Sequence, residues 1–153
     1  MEIIYASKSD RDTALFGQKL AQNLLAGCFI ALDGDLGAGK TVLVKGIALG
    51  LGIHQDILSP TFTLLRIYEG RLKLAHFDVY RIDDEDELIE TGYDDFLDDA
   101  TLTVVEWACK IPHLLPAERI SVELIRTENE GERLIKICCA KRFEPAIKAL
   151  ISC

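Results

Sequence analysis

The sequence predicts an α/β domain in which a mixed parallel and antiparallel sheet lies between layers of helices. A β-prone segment, a helical segment, a buried strand, a glycine-rich loop and a second helix follow one another in the first third of the chain. Two later stretches alternate around glycine-containing turns, which is typical of antiparallel hairpins. Strands separated by helices favour parallel pairing, so hairpins and helices together indicate a mixed sheet with helices on both faces.

The first strand and the first helix follow from residue type and spacing. Residues 2–6 are β-prone, and residues 7–27 carry Leu and Phe at helical spacing. Ser9 with Asp12 three residues later resembles a capping box, so the helix is expected to begin there. Gly27 is its expected stop.

A buried strand and a second helix flank the glycine-rich loop. The apolar run 28–34 is continuous and ends in glycine, as a strand buried on both faces does. The helix is expected from Lys40 onward. Its expected inner face consists of four apolar residues: Val42, Leu43, Ile47 and Leu51.

The rest of the chain predicts two hairpins, an acidic helix and a buried strand. Residues 61–82 form two strands around Glu69-Gly70, and residues 119–140 form a second hairpin. Residues 83–99 are helical in their first half, and 101–108 is a buried strand that ends in a charged residue. A short helix closes the chain. Because no linker or repeat separates these elements, residues 1–153 are expected to form a single domain.

Composition excludes several classes of function. The net charge of −8 disfavours direct binding to a nucleic-acid backbone, which depends on clustered Lys and Arg. The five cysteines are odd in number and form no C-x-x-C motif, so neither a disulfide framework nor a zinc site is expected. No signal peptide and no apolar run of membrane-spanning length is visible, so we expect a cytoplasmic protein without membrane contact.

The glycine-rich loop carries the chemistry. Gly34, Gly39, Lys40 and Thr41 satisfy the pattern G-x-x-x-x-G-K-[ST] between a predicted strand and a predicted helix. Glycines let successive N–H groups point at an anion, and the helix N-terminus adds partial positive charge. In this pattern Lys40 reaches the β- and γ-phosphates and the Thr41 hydroxyl binds Mg²⁺. No N-K-x-D motif reads guanine, so ATP is favoured over GTP.

Two acids and a threonine are candidates for the rest of the site. A phosphate-binding loop enzyme needs an acid near Mg²⁺, commonly at the end of a buried strand. Glu106 is the first candidate and Asp78 the second, although either could simply end its strand. Thr61 lies on the proline-stiffened segment "SPTFT", where a switch loop that senses the γ-phosphate could lie; the same segment could equally be a strand entry.

The acidic segment 83–99 allows two interpretations. It holds ten Asp or Glu residues, and no Lys or Arg occurs between Arg81 and Lys110. It is either a solvated helical face or a docking surface for a basic partner.

Four motifs in this order resemble the TsaE family: "GDLGAGKT", "SPTFTL", "HFDVYR" and "VEW". The resemblance implies a P-loop NTPase-like three-layer domain that binds ATP and Mg²⁺ and hydrolyses ATP slowly. It also implies action with TsaD and TsaB, which transfer threonylcarbamoyl to adenosine 37 of tRNAs reading ANN codons. ATP hydrolysis would support turnover of that complex, and tRNA would be contacted only indirectly. An acidic protein that binds other proteins fits this role.

The resemblance also assigns roles to residues of this chain. Lys40 would be a catalytic phosphate contact, Thr41 and Glu106 would hold Mg²⁺, and Asp78 would be required for hydrolysis and orient water or the metal shell. Residues expected around the nucleotide are Asp10, Thr13, Asp35, Leu36, Gly37, Ala38, Gly39, Val42, Thr61, Trp107, Gly131 and Arg133. Asp10, Thr13, Gly131 and Arg133 are expected near the adenine end. This chain continues Glu-Trp-Ala-Cys where the family often has Glu-Trp-Pro.

Two other functions stay open. A small P-loop kinase would phosphorylate a small molecule or a protein, but such enzymes usually carry an arginine-rich lid. Here Arg66, Arg71 and Arg81 are scattered through predicted strands. A nucleotide sensor that does not hydrolyse ATP is the third possibility. The presence of Lys40, Thr41 and Glu106, the set needed for Mg²⁺-assisted hydrolysis, argues against it.

Overall fold

A seven-stranded mixed sheet forms the centre of the structure, a computed structural model that describes residues 1–152. The strands lie in the order β1-β7-β6-β2-β5-β4-β3, in which the inner run β6, β2, β5 and β4 is parallel and the other pairings are antiparallel. The mixed sheet and both hairpins are confirmed. The strand bounds are β1 Glu2–Ser7, β2 Cys28–Gly34, β3 Leu65–Tyr68, β4 Lys73–Asp78, β5 Thr101–Glu106, β6 Ile120–Arg126 and β7 Arg133–Cys139.

Helices lie on both faces of this sheet, as expected. The helix bounds are α1 Asp10–Gln22, α2 Lys40–Gly50, α3 Glu85–Ile89 and α4 Glu144–Ile151. α1, α2 and α4 pack on one face and share a core with β2, β5 and β6. α3 and two 3₁₀ turns, Tyr93–Phe96 and Ala108–Lys110, share a second core with the other face of β2, β4 and β5. The second layer therefore covers only part of its face. Cys153 lies outside the described residues.

The first helix begins as predicted and ends earlier. Ser9 is its N-cap, and the Ser9 hydroxyl accepts a hydrogen bond from the Asp12 amide at 3.1 Å. The helix ends at Gln22, because Asn23 caps it and donates its side-chain amide to the Lys19 carbonyl. The prediction that Gly27 stops the helix is wrong. A Cβ at Gly27 would lie 2.4 Å from the carbonyl oxygen of Asp98, so this glycine allows a close approach of two chain segments.

The second helix crosses the first at a glycine. A Cβ at Gly46 would lie 1.9 Å from the Ala14 carbonyl oxygen, so the two backbones approach too closely for a side chain. Leu43 and Ile47 are buried as predicted. Val42 is only half-buried, so its placement on the inner face is wrong: it faces the site described below.

Crossing a bilayer would require a longer and more apolar helix than any found in residues 1–152.

Candidate functional site

Three parallel strands end side by side and bring the two candidate acids together. Glu106 closes β5 and Asp78 closes β4, and the two residues are partners in the β4–β5 register. Glu106 is also the register partner of Leu32 on β2, just before the glycine-rich loop. Ligands bind beyond the carboxyl ends of parallel strands in such sheets. The topology therefore places the loop and the two acids at the end of the sheet where a ligand is expected.

The loop adopts a backbone that glycine makes possible. Gly37 has φ 74° and Gly39 has φ 98°, both in the left-handed region that favours glycine. Gly39 is the N-cap of α2, and its end of the helix carries no side-chain cap within the described residues. The first N–H groups of α2 are therefore free of side-chain caps and available to an anion.

Lys40 is folded back onto its own loop. Its Nζ donates to the Gly34 carbonyl at 2.5 Å and to the Asp35 carbonyl at 2.9 Å. The same atom lies 4.2 Å from the centre of the Trp107 ring. Lys40 thus holds the loop closed and places its charge at the head of α2.

Burial and nearby carboxylates act on Lys40 in opposite directions. Burial lowers the pKa of the Lys40 ammonium, whereas Glu106 and Asp78, followed by Asp33 and Asp35, raise it. The ammonium is therefore surrounded by negative charge at a position where a phosphate group would compete for it.

The two acids are held by specific hydrogen bonds. Glu106 is 3% exposed, and its Oε2 lies 2.6 Å from Nε2 of His76. Asp78 accepts a hydrogen bond from the Tyr80 amide at 2.9 Å and one from the Thr61 hydroxyl at 3.1 Å. The predicted switch segment is therefore tied directly to one of the acids.

Loop, acids and switch segment line one cavity of about 510 Å³, which is within the range of small-molecule sites. Twelve of the sequence-predicted residues line it: Asp10, Leu36, Gly37, Gly39, Lys40, Thr41, Val42, Thr61, Asp78, Glu106, Trp107 and Arg133.

Four predicted residues do not line this cavity. Asp35 borders a separate groove on the open face of β6 and β7, and its carbonyl accepts a hydrogen bond from Lys40. Ala38 is buried within the loop. Thr13 is buried with its hydroxyl 2.6 Å from that of Ser7, and Gly131 lies in the β6–β7 turn. These two residues therefore offer no surface to the cavity.

Three lining residues were not among the sequence candidates: Ser59, Tyr80 and Arg81. Each belongs to a motif that was already visible, "SPTFTL" or "HFDVYR", and the motifs were the signal that could have found them. The placement of Arg71 and Arg81 on strands is wrong: Arg71 lies in the turn between β3 and β4. Arg81 is the one that lines the cavity. It lies in the turn after β4, and its guanidinium stacks on Phe62 at 4.5 Å.

Arg133 connects the second hairpin to the phosphate-binding loop. Its Nε donates to the Ala38 carbonyl at 2.8 Å and its Nη2 to the Gly37 carbonyl at 3.2 Å. Two loop carbonyls are thereby turned outward toward β7, which leaves the loop amides for the opposite side.

Trp107 has an unusual backbone conformation beside the acid. Its φ is 63°, which is uncommon for a residue other than glycine, and its amide donates to the Leu32 carbonyl at 2.9 Å. Its ring lies 4.8 Å from that of Tyr80. The residues that follow form a 3₁₀ turn in place of the proline that the family often has, and Trp107 still lines the cavity.

The acidic segment is helical in its first half, as predicted. Asp84 caps α3 by accepting a hydrogen bond from the Asp86 amide, while Leu88 and Tyr93 anchor the segment in the core. Most of its carboxylates are exposed. Its role as a docking surface stays a prediction.

Comparison with known proteins gives the relationship. The family model described as "Threonylcarbamoyl adenosine biosynthesis protein TsaE" matches residues 7–135. The chain belongs to the TsaE family.

Individual relatives agree with this assignment. The tRNA threonylcarbamoyladenosine biosynthesis protein TsaE of Treponema pallidum is 40% identical over 131 residues, which cover 86% of this chain and 96% of the relative. The protein of the same name from Synechocystis is 45% identical over 108 residues, which cover 67% of this chain and 68% of the relative.

A solved structure shows the same fold. The crystal structure of Bacillus subtilis YdiB superposes with a TM-score of 0.80 and 32% identity, covering 98% of this chain and 94% of that one. The chain therefore has the P-loop NTPase-like fold that the sequence predicted, a fold that binds nucleotides at this loop.

Proposed function

We propose that this chain is an ATP-binding, Mg²⁺-dependent ATPase subunit required for formation of threonylcarbamoyladenosine at position 37 of tRNAs that read ANN codons. We further propose that residues 1–153 form one ATPase domain. The observation that carries the proposal is the convergence of Lys40, Asp78 and Glu106 on one loop-bordered cavity in a member of the TsaE family.

The chemistry of the lining residues fits a nucleoside triphosphate with Mg²⁺. Uncapped amides and the Lys40 ammonium suit phosphate oxygens. Thr41, Asp78 and Glu106 offer the oxygen ligands that Mg²⁺ prefers. Residues 1–152 hold no group of three or more His, Cys, Asp and Glu suited to a metal ion. Mg²⁺ sites commonly use one or two protein ligands beside phosphate oxygens and water.

Each residue then has a defined task. Lys40 releases the Gly34 and Asp35 carbonyls and pairs with the β- and γ-phosphates. Thr41 and Glu106, with Asp78, would hold Mg²⁺, which would neutralise charge on the phosphate oxygens.

Asp78 connects the proposed metal site to the switch segment around Thr61. Its bonds to Thr61 and to the Tyr80 amide fix both of its oxygens, so it can orient an attacking water or the metal shell. A change in contacts at the γ-phosphate would then reach Thr61 through one hydrogen bond.

We place the adenine end of the nucleotide near Asp10 and Arg133, which line the cavity on the side of α1 and the second hairpin. Thr13 and Gly131 would act there only through neighbouring residues, because neither lines the cavity. Trp107 would lie beside the nucleotide, where its ring already packs against Lys40.

We propose TsaD and TsaB as the partners, with tRNA contacted only through them and the cytoplasm as the site of action. The net charge of −8 supports a role in which the chain itself does not bind a phosphate backbone. The exposed carboxylates of the segment 83–99 suit a basic surface on a protein partner.

The deciding experiment measures ATP hydrolysis by the full chain alone and then with TsaD, TsaB and substrate tRNA. We expect slow basal turnover that rises with the partners, with inorganic phosphate as the product. A phosphorylated acceptor would support a kinase instead, and the two arginines that line the cavity, Arg81 and Arg133, are the observation in its favour. A rate of ATP hydrolysis equal to that in buffer alone, in every condition, would support a non-hydrolysing sensor.

Glu106→Ala separates metal chemistry from nucleotide binding. We expect it to lower Mg²⁺-dependent hydrolysis more than ATP affinity, because Glu106 closes β5 and lines the cavity at the proposed metal end of the site. An equal loss of both would mean that Glu106 has a structural role.

A further inference from the structure

A histidine in the core contacts the acid of the site. His76 lies on β4, is 0% exposed, and its Nε2 is 2.6 Å from Oε2 of Glu106. His76 pairs in register with Val104, so Glu106 lies two residues further along β5 on the same face of the sheet. The contact reaches from the core to the edge of the sheet where the cavity begins.

The second ring nitrogen of His76 indicates a third residue in this arrangement. Nδ1 of His76 is buried and has no hydrogen-bond partner within residues 1–152. Arg66 is directly opposite His76 in the β3–β4 register, and its Nε is also buried without a partner among those residues. An arginine Nε–H only donates, and the Nδ1 of an imidazole protonated at Nε2 only accepts. The two unpartnered atoms are therefore complementary and lie on adjacent strands.

We propose that His76 is a positioning residue for the reaction: it donates Nε2–H to Glu106 and holds that carboxylate in one orientation, and Arg66 supports the ring by donating to Nδ1 directly or through one water. The inference rests on the proposed function, in which Glu106 holds Mg²⁺. One carboxylate oxygen is occupied by His76, which leaves Oε1 for the cavity that Glu106 lines.

The physical reason is the freedom of a glutamate side chain. Three rotatable bonds let an unsupported carboxylate take several orientations, and a metal ligand must be held in one of them. Partners of metal ligands orient them in this way, and their loss typically costs about 10- to 100-fold in metal affinity or activity. A carboxylate this buried would also be costly without a donor.

The first test needs neither nucleotide nor metal. In ¹⁵N-labelled full chain, the long-range ¹H–¹⁵N spectrum should show His76 protonated at Nε2 and not at Nδ1, and Glu106→Ala should shift the Nε2 signal. Arg66→Met, which keeps the apolar stem and removes the donor, should shift the Nδ1 signal. A ring protonated at Nδ1, or an Nε2 signal that ignores Glu106→Ala, would overturn the proposal even if ATP hydrolysis is confirmed.

The second test uses hydrolysis as a function of Mg²⁺ concentration. His76→Leu should require about 10- to 100-fold more Mg²⁺ or lose that factor in turnover, while ATP affinity changes less than about threefold. His76→Gln, which returns an N–H donor at similar reach, should recover most of the loss. Equal losses in the Leu and Gln variants would mean that His76 only packs.

Dependence on Glu106 is the remaining criterion. In a Glu106→Ala background, His76→Leu should cause no further loss, since a positioning residue acts only through its target. Additive losses would refute the proposal. If His76→Leu does not fold, the Gln variant and the spectra decide. A parent chain that never hydrolyses ATP would refute the proposed function, while the spectra would still test the positioning of Glu106.

Discussion

Replacing Lys40 by alanine tests the phosphate-binding role of the loop. The Lys40 ammonium is held by two carbonyl oxygens and is surrounded by carboxylates, among them Glu106 and Asp78. When phosphate is bound, the ammonium would exchange the carbonyls for charge-assisted hydrogen bonds, worth about 1.5–3 kcal/mol. At 1.4 kcal/mol for each factor of ten, the variant should bind ATP about 10- to 150-fold more weakly.

For Lys40→Ala we expect a loss of ATP affinity at the upper end of this range. Without the ammonium, Glu106 and Asp78 would face the triphosphate with no cation of the loop between them, and like charges repel. Modification activity with TsaD and TsaB should be abolished. The fold should survive, because the lost hydrogen bonds are offset by the cost of burying the ammonium, so the free energy of unfolding should change by about 1 kcal/mol or less.

Isothermal titration with ATP and Mg²⁺ gives the affinity, and urea unfolding gives the stability. Lys45→Ala is the matched control, since Lys45 is on the same helix and exposed to solvent. An ATP affinity within threefold of the parent, or an equal loss in the Lys45 variant, would refute the phosphate-binding role of Lys40.

Three further predictions concern packing, the loop and a buried thiol. Gly46→Ala should lower the free energy of unfolding by about 2 kcal/mol in urea, because overpacking against the Ala14 carbonyl outweighs the gain in helix propensity; an unchanged midpoint would contradict this. Arg133→Ala should weaken ATP binding roughly tenfold in calorimetry by freeing two loop carbonyls, and Arg133→Lys should restore only part of it, because lysine lacks the planar fork. Burial raises the pKa of the Cys28 thiol to about 12. The stability that this shift contributes is therefore complete below the unfolded pKa of about 8.5 and is lost as the pH rises from there through about 12. The difference in free energy of unfolding between parent and Cys28→Ala should therefore narrow from pH 8 to pH 10, and a constant difference would contradict the raised pKa.

Local features of the fold were predictable because local signals determine them. The phosphate-binding loop is a contiguous motif whose residue types match the backbone that it needs, including positive φ at Gly37 and Gly39. Both hairpins follow from alternation around glycine turns, and the start of α1 follows from the Ser9 cap. None of these depends on distant segments.

The composition of the site depended on long-range pairing. The side-chain period of a strand tells which residues share a face but not which strand lies next to it. The order β2-β5-β4 is what places Asp78 beside Glu106, and the β6–β7 hairpin is what brings Arg133 to the loop.

The same reason explains the predictions that were wrong. Gly27 is glycine because a distant segment passes close to it and not because a helix stops there. Val42 borders the cavity because it lies in the first turn of α2, directly after the phosphate-binding loop. The sequence by itself determined the loop, the strands and the helices, since these follow from residue type and spacing. Only the tertiary structure decided which distant side chains share the cavity, because that depends on strand order and on close backbone contacts.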